Sequence, residues 1–429
     1  MPVQGSRLTR RLAKILRRAV YVGIICICIA DPIACTKNPP PSPPQHIAAA
    51  NTFVGSEACR RCHQSIYDRW TTTLMANVVQ DPKQHPTAIL GDFSMPNPLV
   101  TFTPAEVAFT YGSKWKQRYW KKQGDDYIVL PAQWDVRHKV WRPYHVQAGT
   151  DWWVPYYPAE PGDNTTRPTS ALCDGCHSVN YNIKNHTATE LKVGCERCHG
   201  AGGAHVAHPA KSNIVNAARL DNVRSNDVCI QCHSQGQPRA NPIEGQYYDW
   251  AVGYQPGDRL SDTWKLEDHR LGETTFTHWP DASAHKNRMQ GNDYVGSRMY
   301  EKGVRCSACH DPHGTEQDAL LKFGGNDVCL QCHGSQRQAG PGVTPEAHSH
   351  HAASSEGNQC VACHMPLIAT TIADVNVRSH TFNFIWPAMT EKYGIPNPCT
   401  SCHKDRSTTW ATEALNQWSN VSPWRMASR

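Results

Sequence analysis

The chain of 429 residues is 39% hydrophobic, with a mean hydropathy of −0.58 and a formal net charge of +6. That hydrophobic fraction is low for a globular chain of this length, which has to bury a core. The positive charge is concentrated at the start, because residues 1–34 hold six of the 43 Lys and Arg and one of the 37 Asp and Glu. The remaining 37 basic and 36 acidic side chains almost cancel, which argues against a nucleic-acid or anionic-membrane partner.

Residues 1–34 have the layout of a signal peptide. Six basic side chains come first, and an apolar run of 12 residues follows from Ala19 to Ala30. This run is too short to cross a bilayer but has the length of the apolar region of an export signal. We therefore expect export to the periplasm or cell envelope of a bacterial-type cell.

Cys35 is the one cysteine left over when the apolar run and the motifs below are counted. It follows Ala34 as in a lipoprotein signal, but Pro32 stands where an aliphatic residue is usual. Lipidation of Cys35 and ordinary cleavage after Ala30 or Ala34 are both open. Residues 35–50 are rich in proline and predict a semi-rigid linker, which would hold a domain away from a membrane to which Cys35 is tethered.

The pentad C-x-x-C-H occurs eight times, and we number the motifs 1 to 8 in chain order. Their cysteine pairs are Cys59/Cys62, Cys173/Cys176, Cys195/Cys198, Cys229/Cys232, Cys306/Cys309, Cys329/Cys332, Cys360/Cys363 and Cys399/Cys402. The histidines that follow are His63, His177, His199, His233, His310, His333, His364 and His403. A random order of the same residues would give roughly 0.04 such pentads, so the repetition is not accidental.

This spacing suits covalent attachment of haem. Thiols at i and i+3 lie about one helical turn apart and can each add to one vinyl group, while the next residue offers its imidazole to the iron. A thioredoxin-like redox pair would occur once, and half of a zinc site does not need a histidine after every second cysteine. The sequence therefore predicts eight c-type haems, each with a proximal histidine.

Residues 51–98 form the first haem segment, and residues 99–165 form a β-rich aromatic insert. Alternating stretches at 107–111 and 127–130, with a turn at Gly124-Asp125-Asp126, predict a hairpin or small sheet near 99–157. The insert contains Trp115, Trp120, Trp134, Trp141, Trp152 and Trp153. We expect these rings to pack the sheet against haem faces, and the alternative is a substrate cage.

Residues 166–410 form a seven-haem region, and residues 411–429 form a C-terminal tail. At this motif density, neighbouring haem edges should lie within electron-tunnelling range, with short helices around the motifs and loops elsewhere. The octet NDVC-x-QCH occurs at 226–233 and again at 326–333, each time after another motif. This indicates duplication of a two-haem unit, and Asn226 and Asn326 are predicted to cap the short motif helices.

The segments FVGSEAC, VGCERCHGAGGAH, GVRCSACHDPHG, NDVCLQCH, CVACHMP and NPCTSCH together resemble exported octahaem c-type cytochromes with doubled CxxCH motifs. The resemblance covers about residues 53–410. It implies a multihaem cytochrome c architecture that is mainly irregular, with short α-helices packed around covalent haems and the small β-rich insert. It says less about the physiological role.

Fifteen histidines remain after the proximal ones, enough for a second imidazole on every iron. His313 is four residues from Cys309 and cannot easily reach round the haem of its own motif, so it should bind a neighbouring iron; His205 holds the matching place after motif 3, and the resemblance supports both. The other candidate distal ligands are His285, His348, His351, His380, His85 and His278. The alternative for each is a surface histidine, and a stray metal ion is a further alternative for the cluster at 348–351.

Two functions are open at this point. The first is an electron carrier, with mostly bis-His irons, no catalytic residue and other redox proteins of the cell envelope as partners. The second is an octahaem reductase or oxidase that acts on a nitrogen or sulfur compound at one open iron. No C-x-x-C-K motif occurs, which favours the carrier over the reductases that use lysine. End-to-end self-assembly has no sequence signal of its own.

Overall fold

The computed structural model describes residues 52–144, 167–267, 269–273, 275–337, 340 and 342–419. The predicted signal peptide, Cys35, the linker, Trp152 and Trp153 lie outside the described residues, so the predictions for them stay predictions. No helix in the described ranges combines the length and the apolar character that crossing a bilayer requires.

Helices in the described part of the chain are short, and most carry or adjoin a motif. They are α1 (Ser56–Thr71), α2 (Thr169–Leu172), α3 (Asp174–His177), α4 (Glu196–His199), α5 (Gly203–Ala207), α6 (Asn222–Ile230), α7 (Gln290–Val295), α8 (Arg298–Glu301), α9 (Cys306–Cys309), α10 (Asp327–His333), α11 (Pro345–Ser349), α12 (Cys360–His364), α13 (Pro387–Tyr393), α14 (Pro398–Cys402) and α15 (Thr408–Asn416). Several begin with side-chain caps, as where Asp221 accepts a hydrogen bond from the Arg224 amide (3.0 Å).

Strands form one larger sheet and two separate two-stranded sheets. They are β1 (Val79–Gln80), β2 (Phe109–Tyr111), β3 (Lys116–Gln123), β4 (Asp126–Val129), β5 (Ala132–Asp135), β6 (Val140–Pro143), β7 (Gly236–Pro238), β8 (Trp264–Leu266), β9 (Leu367–Ile372) and β10 (Val375–Arg378). The larger sheet has the order β1-β2-β3-β5-β6, with β4 also paired to β3, and all these pairs are antiparallel.

The predicted hairpin is confirmed, with β3 and β4 in register from Trp120 opposite Val129 to Gln123 opposite Asp126. Its turn is one residue shorter than predicted, because Asp126 already belongs to β4. The sheet also extends beyond the insert, since β1 lies within the first haem segment. A two-residue strand has too little alternation to be recognised from sequence.

Alternation along β3 gives the sheet two buried faces. Trp120 packs on one face with Leu172 and Cys173 of motif 2, whereas Tyr119 packs on the other with Trp134 and Trp141. Trp120, Trp134 and Trp141 therefore build the packing of the sheet, and the first face places the sheet directly beside motif 2. Packing of these rings against haem faces stays a prediction.

Two strand pairs in the seven-motif region were not predicted. Strands β9 and β10 pair through register shifts, and β7 pairs with β8 across a long intervening segment. The alternation in 367–378 was available in the sequence, but the pairing of β7 with β8 depends on contacts far apart in the chain. The expectation of loops between motif helices was too simple here.

Apolar side chains of the described residues form six separate clusters instead of one continuous core. The clusters are small, and several include a motif cysteine or a residue beside one, such as Cys173, Cys176 and Ile230. This division agrees with the low hydrophobic fraction of the chain, and it leaves the motifs as the features around which the apolar groups are arranged.

The predicted cap at Asn226 is wrong, and Asn326 is the N-cap residue of α10 without a capping hydrogen bond from its side chain. Asn226 lies inside α6, whose cap is Asp221, and Asn326 precedes α10 without accepting a hydrogen bond from that helix. Both amide oxygens instead accept a hydrogen bond from the backbone of another motif, Cys306 and Cys360 respectively, at 2.8 Å. A long-range partner replaced the local one that the sequence suggested.

Candidate functional site

All sixteen motif cysteines lie on or beside short helices, and none of them forms a disulfide. A helical turn brings the two thiols of a motif to the same side, with the histidine following on the next residue. This is the local geometry that two thioether links and a proximal imidazole need.

The sixteen cysteines are equivalent in the sequence but not in the structure. Cys62, Cys332 and Cys402 are exposed, whereas the other thirteen are buried or half-buried. Each of the three is the second cysteine of its motif. Cys62 is exposed because it lies away from the face of α1 that buries Ser56 and Trp70, a difference that the motif spacing alone does not reveal. Attachment of haem through Cys62 stays a prediction, and a macrocycle bound there would cover this open position.

Five proximal histidines face a second imidazole across a gap of constant width. The ring centroids are 6.4 Å apart for His63 and His205, 6.1 Å for His199 and His313, 6.5 Å for His310 and His380, 6.3 Å for His364 and His348, and 6.2 Å for His403 and His351. Four of these pairs are within 24° of parallel, and the fifth is tilted by 35°.

That gap has the width of one metal ion. A metal–imidazole bond is about 2 Å and each ring nitrogen lies about 1 Å from its centroid, so an ion between two imidazoles needs roughly 6 Å between centroids. Direct ring stacking would bring centroids closer, as for His269 and His278 at 4.7 Å. The residues therefore fit an iron held between two histidines at motifs 1, 3, 5, 7 and 8.

Hydrogen bonds at Nδ1 orient several of these rings. His199 Nδ1 donates to the Val215 carbonyl (2.7 Å), and His310 Nδ1 donates to the Ala319 carbonyl (2.8 Å). On the facing side, His313 Nδ1 donates to Asp311 Oδ1 (3.0 Å), and His380 Nδ1 donates to the carbonyl of Arg378 (3.1 Å). Because these acceptors require the proton on Nδ1, the Nε2 lone pair is left for a metal.

Burial keeps the central imidazoles neutral. Loss of solvation lowers the pKa of His199, His310 and His364, and it lowers the pKa of His380 to about 4. A neutral imidazole is the form that binds iron, so the surroundings already select the ligating form at neutral pH.

Five of the eight candidate distal ligands thus lie opposite a proximal ring: His205, His313, His348, His351 and His380. The other three lie elsewhere. His285 packs on Trp279 with centroids 4.1 Å apart, His278 stacks on His269, and His85 lines a cavity of about 570 Å³ beside β1. For these three, ligation stays a prediction.

His177 of motif 2 has different surroundings. The Tyr111 hydroxyl lies within hydrogen-bonding distance of both ring nitrogens, 2.6 Å from Nε2, and no second imidazole stacks on His177 among the described residues. Burial lowers the pKa of His177 to about 3, and the charge of Arg288 contributes. Sequence reasoning missed Tyr111, because only the packing of the sheet on motif 2 brings it there.

Arg197 of motif 3 provides a second test of fit. Its Nε and Nη2 atoms are buried without a hydrogen-bond partner in the described structure. Its positive charge acts on the motif 4 thiol Cys232, which lies close by. A buried guanidinium needs an anionic or carbonyl partner, and a haem propionate between motifs 3 and 4 would supply one.

Contacts between motifs join most of them in pairs. Three contacts share one form, in which a side chain three residues before a motif accepts a hydrogen bond from the first cysteine amide of another motif. They are Ser56 with Cys195 (3.0 Å), Asn226 with Cys306 (2.8 Å) and Asn326 with Cys360 (2.8 Å). These contacts join motif 1 to 3, motif 4 to 5 and motif 6 to 7.

Further contacts link the pairs. Gln231 of motif 4 donates to the Arg197 carbonyl of motif 3 (3.4 Å), and the Cys176 thiol of motif 2 lies 3.9 Å from the Gln231 carbonyl. Burial raises the pKa of the Cys309 thiol of motif 5, and the Cys332 thiol of motif 6 is close enough to raise it further. Helices α12 and α14 of motifs 7 and 8 also contact each other. Contacts therefore join the motifs in the order 1-3-4-5-6-7-8, with motif 2 beside motif 4, and His313 beside motif 5 also faces His199 of motif 3.

The chain resembles known proteins in parts of its sequence and in its fold. A model of the doubled CXXCH motif matches residues 299–338. The dissimilatory sulfite reductase MccA of Wolinella succinogenes is 24% identical over 404 residues, covering 74% of this chain and 51% of that protein. The multiheme cytochrome MtrA of Shewanella baltica is 27% identical over 147 residues, covering 33% and 43%. The chain thus spans about half or less of the length of these curated relatives.

The crystal structure of the outer cell wall cytochrome OcwA has a TM-score of 0.64 and 22% identity, and the match covers 86% of this chain and 87% of that one. This likeness establishes a shared architecture of short helices and small sheets. With the repeated motifs and the doubled-CXXCH match, it identifies the chain as a multihaem c-type cytochrome.

Proposed function

We propose that the chain carries electrons along a row of eight covalently bound haems in the cell envelope. Each haem, when bound, would take up and release one electron at its iron. The observation that supports this role best is the connected order of the motifs, which leaves no motif remote from its neighbours. Because five motifs have a facing imidazole pair, five of the eight irons would be closed to small molecules.

In this proposal the protein residues hold and close the irons and do not react. His205, His313, His348, His351 and His380 serve as distal ligands. In His205, His313, His351 and His380, a carbonyl or carboxylate acceptor holds the proton-bearing Nδ1. Bis-imidazole ligation lacks the thioether that raises haem potentials, so the row should operate at low potential. Its partners would be other redox proteins of the cell envelope.

Haem content is the first test of this proposal. We expect the mature protein to carry eight covalent haems by mass and by pyridine haemochrome, because each of the eight motifs has the complete C-x-x-C-H set. Expression without export and haem ligation should yield an unfolded or degraded chain. Fewer than eight haems, with zinc on the remaining thiols, would contradict the proposal.

A membrane tether at Cys35 is tested separately. If Cys35 carries lipid, Cys35→Ser should move the protein from the detergent-requiring fraction to the soluble fraction, since the acyl chains are lost with the thiol that bears them. Haem content should not change. Identical fractionation of the two forms would rule out lipidation and leave ordinary cleavage after Ala30 or Ala34.

A reductase or oxidase is the second candidate, and Tyr111 is the observation that favours it. The Tyr111 hydroxyl lies 2.6 Å from the His177 Nε2 that would hold the iron, no paired imidazole stacks on His177 among the described residues, and Arg288 and Arg197 make the surroundings positive. Such surroundings suit a small anion, and one of the relatives is a sulfite reductase. Addition of sulfite or nitrite to the unmodified protein should then alter one high-spin haem, and Tyr111→Phe should alter the same signal. A native spectrum without high-spin haem would reject this candidate.

A further inference from the structure

The doubled octet contains an asparagine whose function is the same in both copies. Asn226 Oδ1 accepts from the Cys306 amide, while its Nδ2 donates to the Val304 carbonyl (3.3 Å). Asn326 Oδ1 accepts from the Cys360 amide, while its Nδ2 donates to the Asn358 carbonyl (2.9 Å). Each asparagine therefore hydrogen-bonds to the amide of the first cysteine of another motif and to the carbonyl two residues before that cysteine.

Ser56 performs half of this task at the start of the chain. It precedes Cys59 by three residues, as the asparagines precede Cys229 and Cys329, and its hydroxyl accepts from the Cys195 amide at 3.0 Å. Ser56 and Asn226 are completely buried. The position three residues before a motif does not by itself create this contact. Ser170 precedes Cys173 by three residues, but its side chain interacts with Tyr181.

In all three cases this hydrogen bond holds the first cysteines of two motifs close together. The Cys195 thiol raises the pKa of Cys59, the Cys306 thiol raises that of Cys229, and the Cys360 thiol raises that of Cys329, so the first cysteines of each pair are neighbours. Since the first cysteine links one edge of the haem to the backbone, holding two such cysteines together also fixes two haem edges relative to each other.

We infer that Ser56, Asn226 and Asn326 are positioning residues that hold motifs 1 and 3, 4 and 5, and 6 and 7 as three close haem pairs. This rests on the proposed electron row, and it adds that the row is built from closely coupled pairs joined by looser links. It also explains why the octet is kept twice: the asparagine acts on the motif that follows the octet, not on its own helix.

Asn326 offers the sharpest test, because both its contacts and an exposed neighbour on the same helix are available. Asn326→Ala removes both hydrogen bonds, Asn326→Ser restores the acceptor that Ser56 uses, and Gln331→Ala changes an exposed side chain of α10 as a matched control. Exchange of the Cys360 amide should rise about tenfold in Asn326→Ala, because a net hydrogen bond of this kind contributes about 1–1.5 kcal/mol.

The decisive readout is the magnetic coupling between the irons of motifs 6 and 7 in the oxidised protein, measured by electron paramagnetic resonance at unchanged haem content. We expect Asn326→Ala to weaken this coupling, Asn326→Ser to retain it, and Gln331→Ala to leave it unchanged. Asn226→Ala should change the motif 4 and 5 coupling instead. If the alanine variant loses haem, the serine variant decides: retained coupling supports the inference and lost coupling overturns it.

Faster amide exchange with unchanged coupling in Asn326→Ala would also overturn the inference, because the asparagine would then hold backbone without setting haem geometry. That outcome would leave the proposed electron row intact, since the row depends on haem order and not on how closely each pair is held.

Discussion

Replacing His313 by alanine should turn one more haem high-spin and raise carbon monoxide binding by about one molecule per chain. His313 faces the buried His199 across 6.1 Å, so its removal opens a single iron at motif 3. Haem content should stay the same, because Cys195 and Cys198 still hold the macrocycle. Electron passage should slow, since motif 3 stands between motifs 1 and 4.

The matched control is His208→Ala, an exposed histidine three residues after His205. It should leave the spectrum unchanged. His313→Met should keep the iron low-spin and raise its potential, because a thioether replaces an imidazole. Two results would show that His199 and His313 are not a ligand pair. One is a His313→Ala protein with no more high-spin haem than the unmodified protein, and the other is a His208→Ala protein that binds more carbon monoxide than the unmodified protein.

Glu196→Ala should cost roughly 3–6 kcal/mol of stability and disturb motif 1. The buried Glu196 carboxylate accepts hydrogen bonds from the amides of Val54 (3.1 Å), Gly55 (2.8 Å) and Gly202 (2.6 Å). A buried amide left without a partner costs about 1–3 kcal/mol, and the part-buried amides of Val54 and Gly55 lie at the lower end of that range. Gly202 immediately precedes α5, which carries His205, so the variant should also show a partly high-spin motif 1.

Glu301→Ala is the control for this change, because Glu301 is an exposed carboxylate in an i,i+3 ion pair with Arg298. Its unfolding midpoint in guanidinium should match that of the unmodified protein. Glu196→Gln, which keeps one acceptor oxygen, should fall between the two. Equal midpoints for Glu196→Ala and Glu301→Ala would remove the carboxylate from the account of how His205 is placed.

Sequence reasoning reached the parts of the site that are local in the chain. The spacing within each motif is set by one helical turn, and the β3–β4 hairpin by alternation around a short turn. His205 and His313 were recognisable as ligands for another iron because they are too close to their own motif to bind it. The partner of each could not be read, because His63 and His205 meet only after the chain has folded around both.

The failures have the same origin. Asn226 and Asn326 have the residue type of a helix cap, yet their hydrogen-bonding groups are used by Cys306 and Cys360 from other segments. Tyr111 reaches His177 only because β2 lies in a sheet that packs on motif 2. His269, whose two ring nitrogens are buried without a partner in the described structure, follows no motif and gave no signal.

Exposure of the motif cysteines was equally out of reach of the sequence. Cys62 and Cys176 hold the same place in two C-x-x-C-H pentads, yet Cys62 is exposed and Cys176 is buried. The difference comes from what packs on each helix, since Cys176 lies in an apolar cluster with Tyr248 and Trp250. Residues more than 70 positions away in the chain therefore decide how enclosed a motif is.

The haems are proposed to form one connected row, and removal of the motif 4 haem tests this proposal most directly. A photoreductant attached to a cysteine at Asp405, an exposed position beside motif 8, would inject electrons at one end. In the Cys229→Ala/Cys232→Ala variant, electrons should still reach the haems of motifs 5 to 8, but those of motifs 1 to 3 should be reduced more slowly than in the unmodified protein, because only the contact of His313 with motif 3 then joins the two groups.

The Cys59→Ala/Cys62→Ala variant is the control, because it also loses two thiols and one haem but at the far end of the row. All seven of its haems should be reduced together, as all eight should be in the unmodified protein. If the haems of motifs 1 to 3 are reduced as fast without the motif 4 haem as with it, the chain does not conduct along the row described here.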